Sequence, residues 1–82
     1  MSREWELPMN NERNPITDPM PGDIVRATIY KNGRERHVAG RAHGRLTYYA
    51  VSPTRRDILG CSIQAWRRWC EYAKVEIIQR GV

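Results

Sequence analysis

Residues 23–51 read DIVRATIYKNGRERHVAGRAHGRLTYYAV, and the two-residue rhythm of this stretch decides the fold class. From Asp23 to Lys31, Val25, Ala27 and Ile29 fall on one side and Arg26 and Thr28 on the other, the alternation of a half-buried strand. Asn32-Gly33 follows. Both residue types tolerate positive φ, so the pair predicts a two-residue type I′ turn. Arg34 to Ala42 is the expected return strand, with Arg34, Arg36 and Val38 alternating against Glu35, His37 and Ala39. Gly40 weakens that strand and marks a bulge. His43-Gly44 reads as a second turn, and Arg45 to Val51, rich in Thr, Tyr and Val, as a third strand. The stretch predicts a three-stranded antiparallel meander.

Towards the C-terminus, Ser52-Pro53-Thr54 ends the sheet. Thr54 and Asp57 have the spacing of a capping box, which predicts one helical turn over residues 55–59, stopped by Gly60. Ser62 is a good N-cap for a longer helix. Ile63, Trp66, Trp69, Cys70 and Ala73 recur at helical spacing and form an apolar stripe, while Gln64, Arg67, Arg68 and Glu71 face outward. Lys74 to Arg80 alternates again through Val75, Ile77 and Gln79 and reads as a last strand. The predicted order is β-β-β-α-β. This is an α+β domain with a small antiparallel sheet under one Trp-rich amphipathic helix, or its alternative, a partly open SH3-like barrel.

Towards the N-terminus the pattern dissolves. Pro8, Pro15, Pro19 and Pro21 with Asn10, Asn11 and Asn14 interrupt any period, so residues 1–22 are expected to be an extended tail and 23–82 a single domain. Trp5 and Leu7 are the tail's two candidate anchors. Charge divides at the same place. Residues 1–22 carry two basic residues against four acidic ones, and residues 23–82 carry twelve against five, which together give the net +5. Of the fourteen basic residues only Lys31 and Lys74 are lysines. Arginine is a planar, permanently charged fork suited to phosphate and carboxylate, whereas lysine is the usual solubilising cation.

Several classes are disfavoured. No apolar run is long enough to cross a bilayer, and the N-terminus lacks the hydrophobic stretch of a signal peptide, so the expected compartment is the cytoplasm. Cys61 and Cys70 are not expected to bridge, because a helix rising about 1.5 Å per residue holds them apart. Two His and two Cys without a close Cys pair make a poor zinc site. There is no G-x-S-x-G, H-E-x-x-H or G-x-x-x-x-G-K segment, so neither catalysis nor a cofactor is expected.

The run Leu59-Gly60-Cys61-Ser62-Ile63-Gln64-Ala65-Trp66-Arg67-Arg68-Trp69 resembles the turn and recognition helix of helix-turn-helix DNA-binding proteins. The resemblance implies that Ser62 caps the helix and that Gln64, Arg67 and Arg68 face DNA. It covers about a dozen residues, and the β-meander stands where the family has its preceding helix. A second candidate surface is the sheet. Arg34, Arg36, Arg41 and Arg45 with Tyr49 can hold phosphates and stack bases. Arg55 and Arg56, before the helix, form a third group.

Together these residues predict a small basic nucleic-acid-binding protein of accessory or regulatory type, with DNA ahead of RNA and a size familiar from phages and other mobile elements. The alternative is a protein-interaction module or inhibitor that docks its basic face on an acidic partner surface. Its acidic tail, with Trp5 and Leu7, is then a second anchor; in either reading the tail can also shield the basic surface until a partner displaces it.

Overall fold

The computed structural model describes residues 13–31 and 33–81. Five strands and one helix follow in the order β1 (Ile24–Arg26), β2 (Glu35–Ala42), β3 (Arg45–Val51), β4 (Arg56–Ser62), α1 (Ile63–Ala73) and β5 (Glu76–Gln79). All neighbouring strands are antiparallel in an open sheet of order β4-β3-β2-β1-β5. The α+β class and the single helix agree with the sequence. Among the described residues the sheet is open, with β4 and β5 at its edges, and does not close into a barrel.

The first hairpin departs from expectation. Ile24 faces His37 and Arg26 faces Glu35, with Ala27 N donating to Arg34 O at 2.8 Å. A two-residue turn at Asn32-Gly33 would instead place Arg26 opposite Ala39. The pairing therefore centres between Tyr30 and Lys31, and β1 stops at Arg26, with an irregular loop replacing residues 27–31 of the expected strand; Asn32 itself lies outside the described residues. Burial sets the register, because a slip of one residue would turn every side chain to the wrong face. Val25 and Ala27 are buried, but Ile29 is exposed. The two-residue turn lies instead at His43-Gly44, where both residues have positive φ, +52° and +76°, and Ala42 pairs with Arg45. The predicted bulge at Gly40 is present: Val38 faces Tyr48 and Gly40 faces Thr47, leaving Ala39 unmatched.

The single helical turn expected over residues 55–59 is a strand. Residues 56–62 pair with the whole of β3, from Val51 opposite Arg56 to Arg45 opposite Ser62. Ser52-Pro53-Thr54-Arg55 turns the chain, closed by Ser52 N to Arg55 O at 2.9 Å. The capping-box spacing of Thr54 and Asp57 was outcompeted by backbone pairing: a helix here would leave the outer row of β3 donors and acceptors without partners. Helix α1 then starts where Ser62 predicts, its hydroxyl accepting from Ala65 N at 3.0 Å. It ends at Lys74, whose left-handed backbone returns its N–H to the last carbonyls.

The stripe of α1 lies on the sheet. Trp66 is fully buried and meets Tyr48 edge-on at 5.7 Å, with Val25, Val38, Leu46 and Cys70 around it. Residues 13–22, expected in an extended tail, belong to this core. Pro15 and Pro19 are fully buried, and the Trp66 indole N–H donates to Pro15 O at 3.0 Å. Proline suits such a site because it has no N–H to leave unpaired.

One polar group is buried with them. Asp23 is wholly inaccessible and takes both arms of the Arg13 guanidinium at 2.6 Å, Met20 N at 2.8 Å and Gly81 N at 2.6 Å. Burial pushes this carboxyl up, but the hydrogen bonds from Arg13, Gly81 and Met20 outweigh it and hold its pKa below the ordinary value. Asp23→Asn is expected to lower the unfolding free energy by about 3 kcal/mol, the low end for a broken buried pair. Because the folded carboxyl titrates below the unfolded one, its contribution is complete above about pH 3.9 and is lost as pH falls through the lower folded value. Urea unfolding across the acid range should therefore show a shallower pH dependence in Asp23→Asn than in the native chain. Parallel curves would assign the acid sensitivity to other groups.

Candidate nucleic-acid interface

The ten candidate residues do not share one surface. Two are engaged in holding the N-terminal segment. Arg41 binds the Asp18 carboxylate and Pro19 O, and Arg67 donates twice to Thr17 O, at 2.7 and 3.0 Å. Gln64 and Arg68 are exposed on the outer side of α1. The segment corresponding to the turn of a helix-turn-helix unit, Leu59 to Ser62, is the end of β4, so a strand leads directly into this helix.

The open face of the sheet, away from α1, carries Arg45, Tyr49 and Arg56. Arg45 is exposed beside the His43-Gly44 turn. At the opposite end of the face, the Arg56 guanidinium lies 4.0 Å from the centre of the Tyr49 ring. The same face holds a charge network. Arg26 binds Glu35 at 2.9 Å and Glu76 at 3.5 Å, and Glu35 lies 2.8 Å from His37 Nε2. His37 and Arg26 hold the Glu35 carboxyl below its usual range against the opposing effect of burial. This network neutralises the β1 side of the face and leaves its cations towards β3 and β4.

The remaining three, Arg34, Arg36 and Arg55, line a half-open groove of about 580 Å³ on the helix side. Register explains its form. Arg36 of β2, Ala50 of β3 and Asp57 of β4 stand in one row across the sheet. Ala50 is too small to fill its place, so it becomes the floor between two longer side chains. Trp69 of α1 and Tyr30 of the first loop complete the walls. Arg36 is half-buried, its guanidinium 3.7 Å from the centre of the Trp69 ring and 4.5 Å from that of Tyr48. Arg34 lies over Tyr30 at 4.5 Å. Arg55 is exposed on the β3–β4 turn and pairs with Asp57 at 3.2 Å.

Tyr30 and Trp69 are therefore site residues that the sequence did not reveal. Arg36 and Trp69 are distant in the chain and no spacing rule joins them; a Tyr-x-x-x-Arg pattern, as in Tyr30 and Arg34, is the one local signal. Desolvation lowers the Arg36 pKa, so its environment opposes the charge. No hydrogen bond from Arg36 to an acceptor among the described residues offsets this, and the rings of Trp69 and Tyr48 lie against its guanidinium instead.

The two thiols are free. Burial pushes Cys70 up to about 12, so it is protonated at neutral pH and not an activated nucleophile. Among the described residues no cluster of three His, Cys, Asp or Glu stands close enough to hold a metal, and no helix is long and apolar enough to cross a membrane. The chain matches no protein-family model, no curated protein and no solved structure at a significant level.

If the charge on Arg36 is retained against its surroundings, removing it should not harm the fold. Arg36→Met keeps the stem packed on Tyr48 and is expected to leave the melting temperature unchanged or raised, measured by circular dichroism. A clear drop would mean that the aromatic contacts outweigh desolvation.

Proposed function

We propose that this protein is a small DNA-binding accessory or regulatory factor that grips phosphates with arginines seated on aromatic rings. One observation carries the reading. Three arginine–aromatic stacks among the described residues, Arg34 on Tyr30 and Arg36 on Trp69 and Tyr48 on the helix side, and Arg56 on Tyr49 on the open face, lie at the same end of the sheet, around the β3–β4 turn. An arginine held by a ring rather than by a carboxylate keeps its N–H edge available. Preorganisation lowers the entropy lost on binding, and the planar fork suits a phosphate. Arg55 lies in the same turn, and Arg45 and Arg68 extend the positive surface along the open face and the helix. Arg41 and Arg67 are left out of the contact surface because they already hold the N-terminal segment.

Phosphate contacts of this kind give affinity that falls as salt rises, with base contacts supplying any selectivity. Fluorescence anisotropy with mixed-sequence DNA should show binding at low salt that weakens steeply on a log–log plot. Arg34→Gln and Arg56→Gln should each reduce that slope by about one, if each arginine neutralises one phosphate. No binding at low salt would sink the proposal.

A second reading, docking on another protein, is favoured by β4. This edge strand leaves Ile58 60% and Leu59 48% exposed, one on each face of the sheet, beside a row of backbone groups that no strand among the described residues pairs. Ile58→Lys separates the two: it should spare DNA binding and abolish docking on a protein partner.

A further inference from the structure

We propose that the groove beside Trp69 takes one unpaired nucleotide of a single-stranded nucleic acid, with its phosphate on the N–H edge of Arg36. The inference rests on the nucleic-acid reading above and narrows it from DNA in general to an exposed strand.

Concavity comes first. A duplex presents a convex backbone that can rest on exposed arginines such as Arg45, Arg56 and Arg68. It cannot lower a phosphate to the floor of a groove set between α1 and the β3–β4 turn. The groove is about 580 Å³, within the range of clefts that bury small organic ligands.

Arg36 has the form of a phosphate receptor. Trp69 at 3.7 Å and Tyr48 at 4.5 Å occupy its surroundings as π partners, and neither ring accepts its N–H groups in the way an oxygen does. A bidentate oxyanion supplies that acceptor with matched planar geometry. Arg34, fixed over Tyr30, and Arg55 add two cations at the mouth.

The groove also holds an acceptor that a bare polyanion would not satisfy. Asp57 stands across Ala50 from Arg36, in contact with Arg55 at 3.2 Å. The other lining acid, Glu35, is directed to the opposite face of the sheet, on Arg26 and His37. A carboxylate facing a phosphate site calls for a ligand with donors of its own. The amino and imino groups on the Watson–Crick edge of a base are such donors. They are available on an unpaired base and already used in a duplex. The hydroxyls of Ser52 and Thr54 lie on the same wall and add sequence-tolerant polar contacts.

The test follows the side-chain Nε–Hε signals of the arginines by NMR in the full chain. The probes are a short oligodeoxycytidylate, a blunt hairpin duplex of equal phosphate content, and a polyglutamate peptide. The single strand is expected to shift Arg36 and Arg34 while Arg68 stays in place, and to do so at about tenfold lower concentration than the duplex, the scale of one charge-assisted hydrogen bond. Arg36→Met, which keeps the aliphatic stem on Tyr48, should remove that roughly tenfold preference and bring the single strand to the affinity of the duplex. Equal response of Arg36 to strand and duplex, or to polyglutamate, would overturn the groove assignment. If both nucleic acids bind with Arg36 unmoved, the groove assignment falls and DNA binding stands. If neither binds at low salt, both fall together.

Discussion

The buried pair of Arg13 and Asp23 holds the two ends of the described segment in one place. Asp23 leads into the first strand, Arg13 belongs to the proline-rich approach, and Gly81 follows the last strand. The carboxylate joins all three, and Arg13 donates onward to Gly81 O at 3.0 Å. A buried carboxylate is tolerated only when every lone pair finds a donor, and four donors meet this one. Gly81 has no alternative residue here, because a Cβ would collide with the Pro21 carbonyl. With the ends tied, the segment from Pro15 to Pro19 is pressed onto Trp66, and the helix in turn onto the sheet.

That arrangement also sets apart two groups of three arginines. Arg13, Arg41 and Arg67 meet carboxylates or carbonyls of the N-terminal segment and build the fold. Arg34, Arg36 and Arg56 meet aromatic rings at the other end of the sheet. For these six, arginine rather than lysine has two separate physical causes. Planar forks are needed to satisfy carbonyls and carboxylates in the folded N-terminal segment, and planar cations are needed to stack. Lysine, a point charge on a flexible stem, does neither as well.

Much of the fold was legible because local and tertiary preferences agreed. Ser62 caps the helix that the stripe from Ile63 to Ala73 predicts, and Gly40 produces its bulge. The failures fall where they disagreed. Thr54 and Asp57 carry a helix-start pattern, but β3 needed a partner strand. Asn32-Gly33 carries the stronger turn signal, but burial of Val25 and Val38 fixed a register that the turn does not match. Pro15 and Pro19 look like a tail's punctuation and are core residues, since proline's lack of an N–H disqualifies it from strands but suits it to tight burial. The site was less legible than the fold. Its arginines were visible by type, but the split into structural and available ones depends on contacts between residues far apart in sequence.

The connection from β4 to β5 has a consequence for how such a domain can change in size. The two strands are the opposite edges of the sheet, and α1 with Lys74 and Val75 is all that joins them. Eleven helical residues span about 16 Å, and four strand spacings about 19 Å. The helix therefore acts as a strut whose length matches the width it crosses. No strand can be inserted within the sheet without lengthening the helix in step, and each residue added there would turn the part of the helix beyond it by about 100° relative to the part before it. Growth is free only outward, past β4 or β5, so new structure, whether gained in the chain or borrowed from a partner, has those two borders as its points of entry.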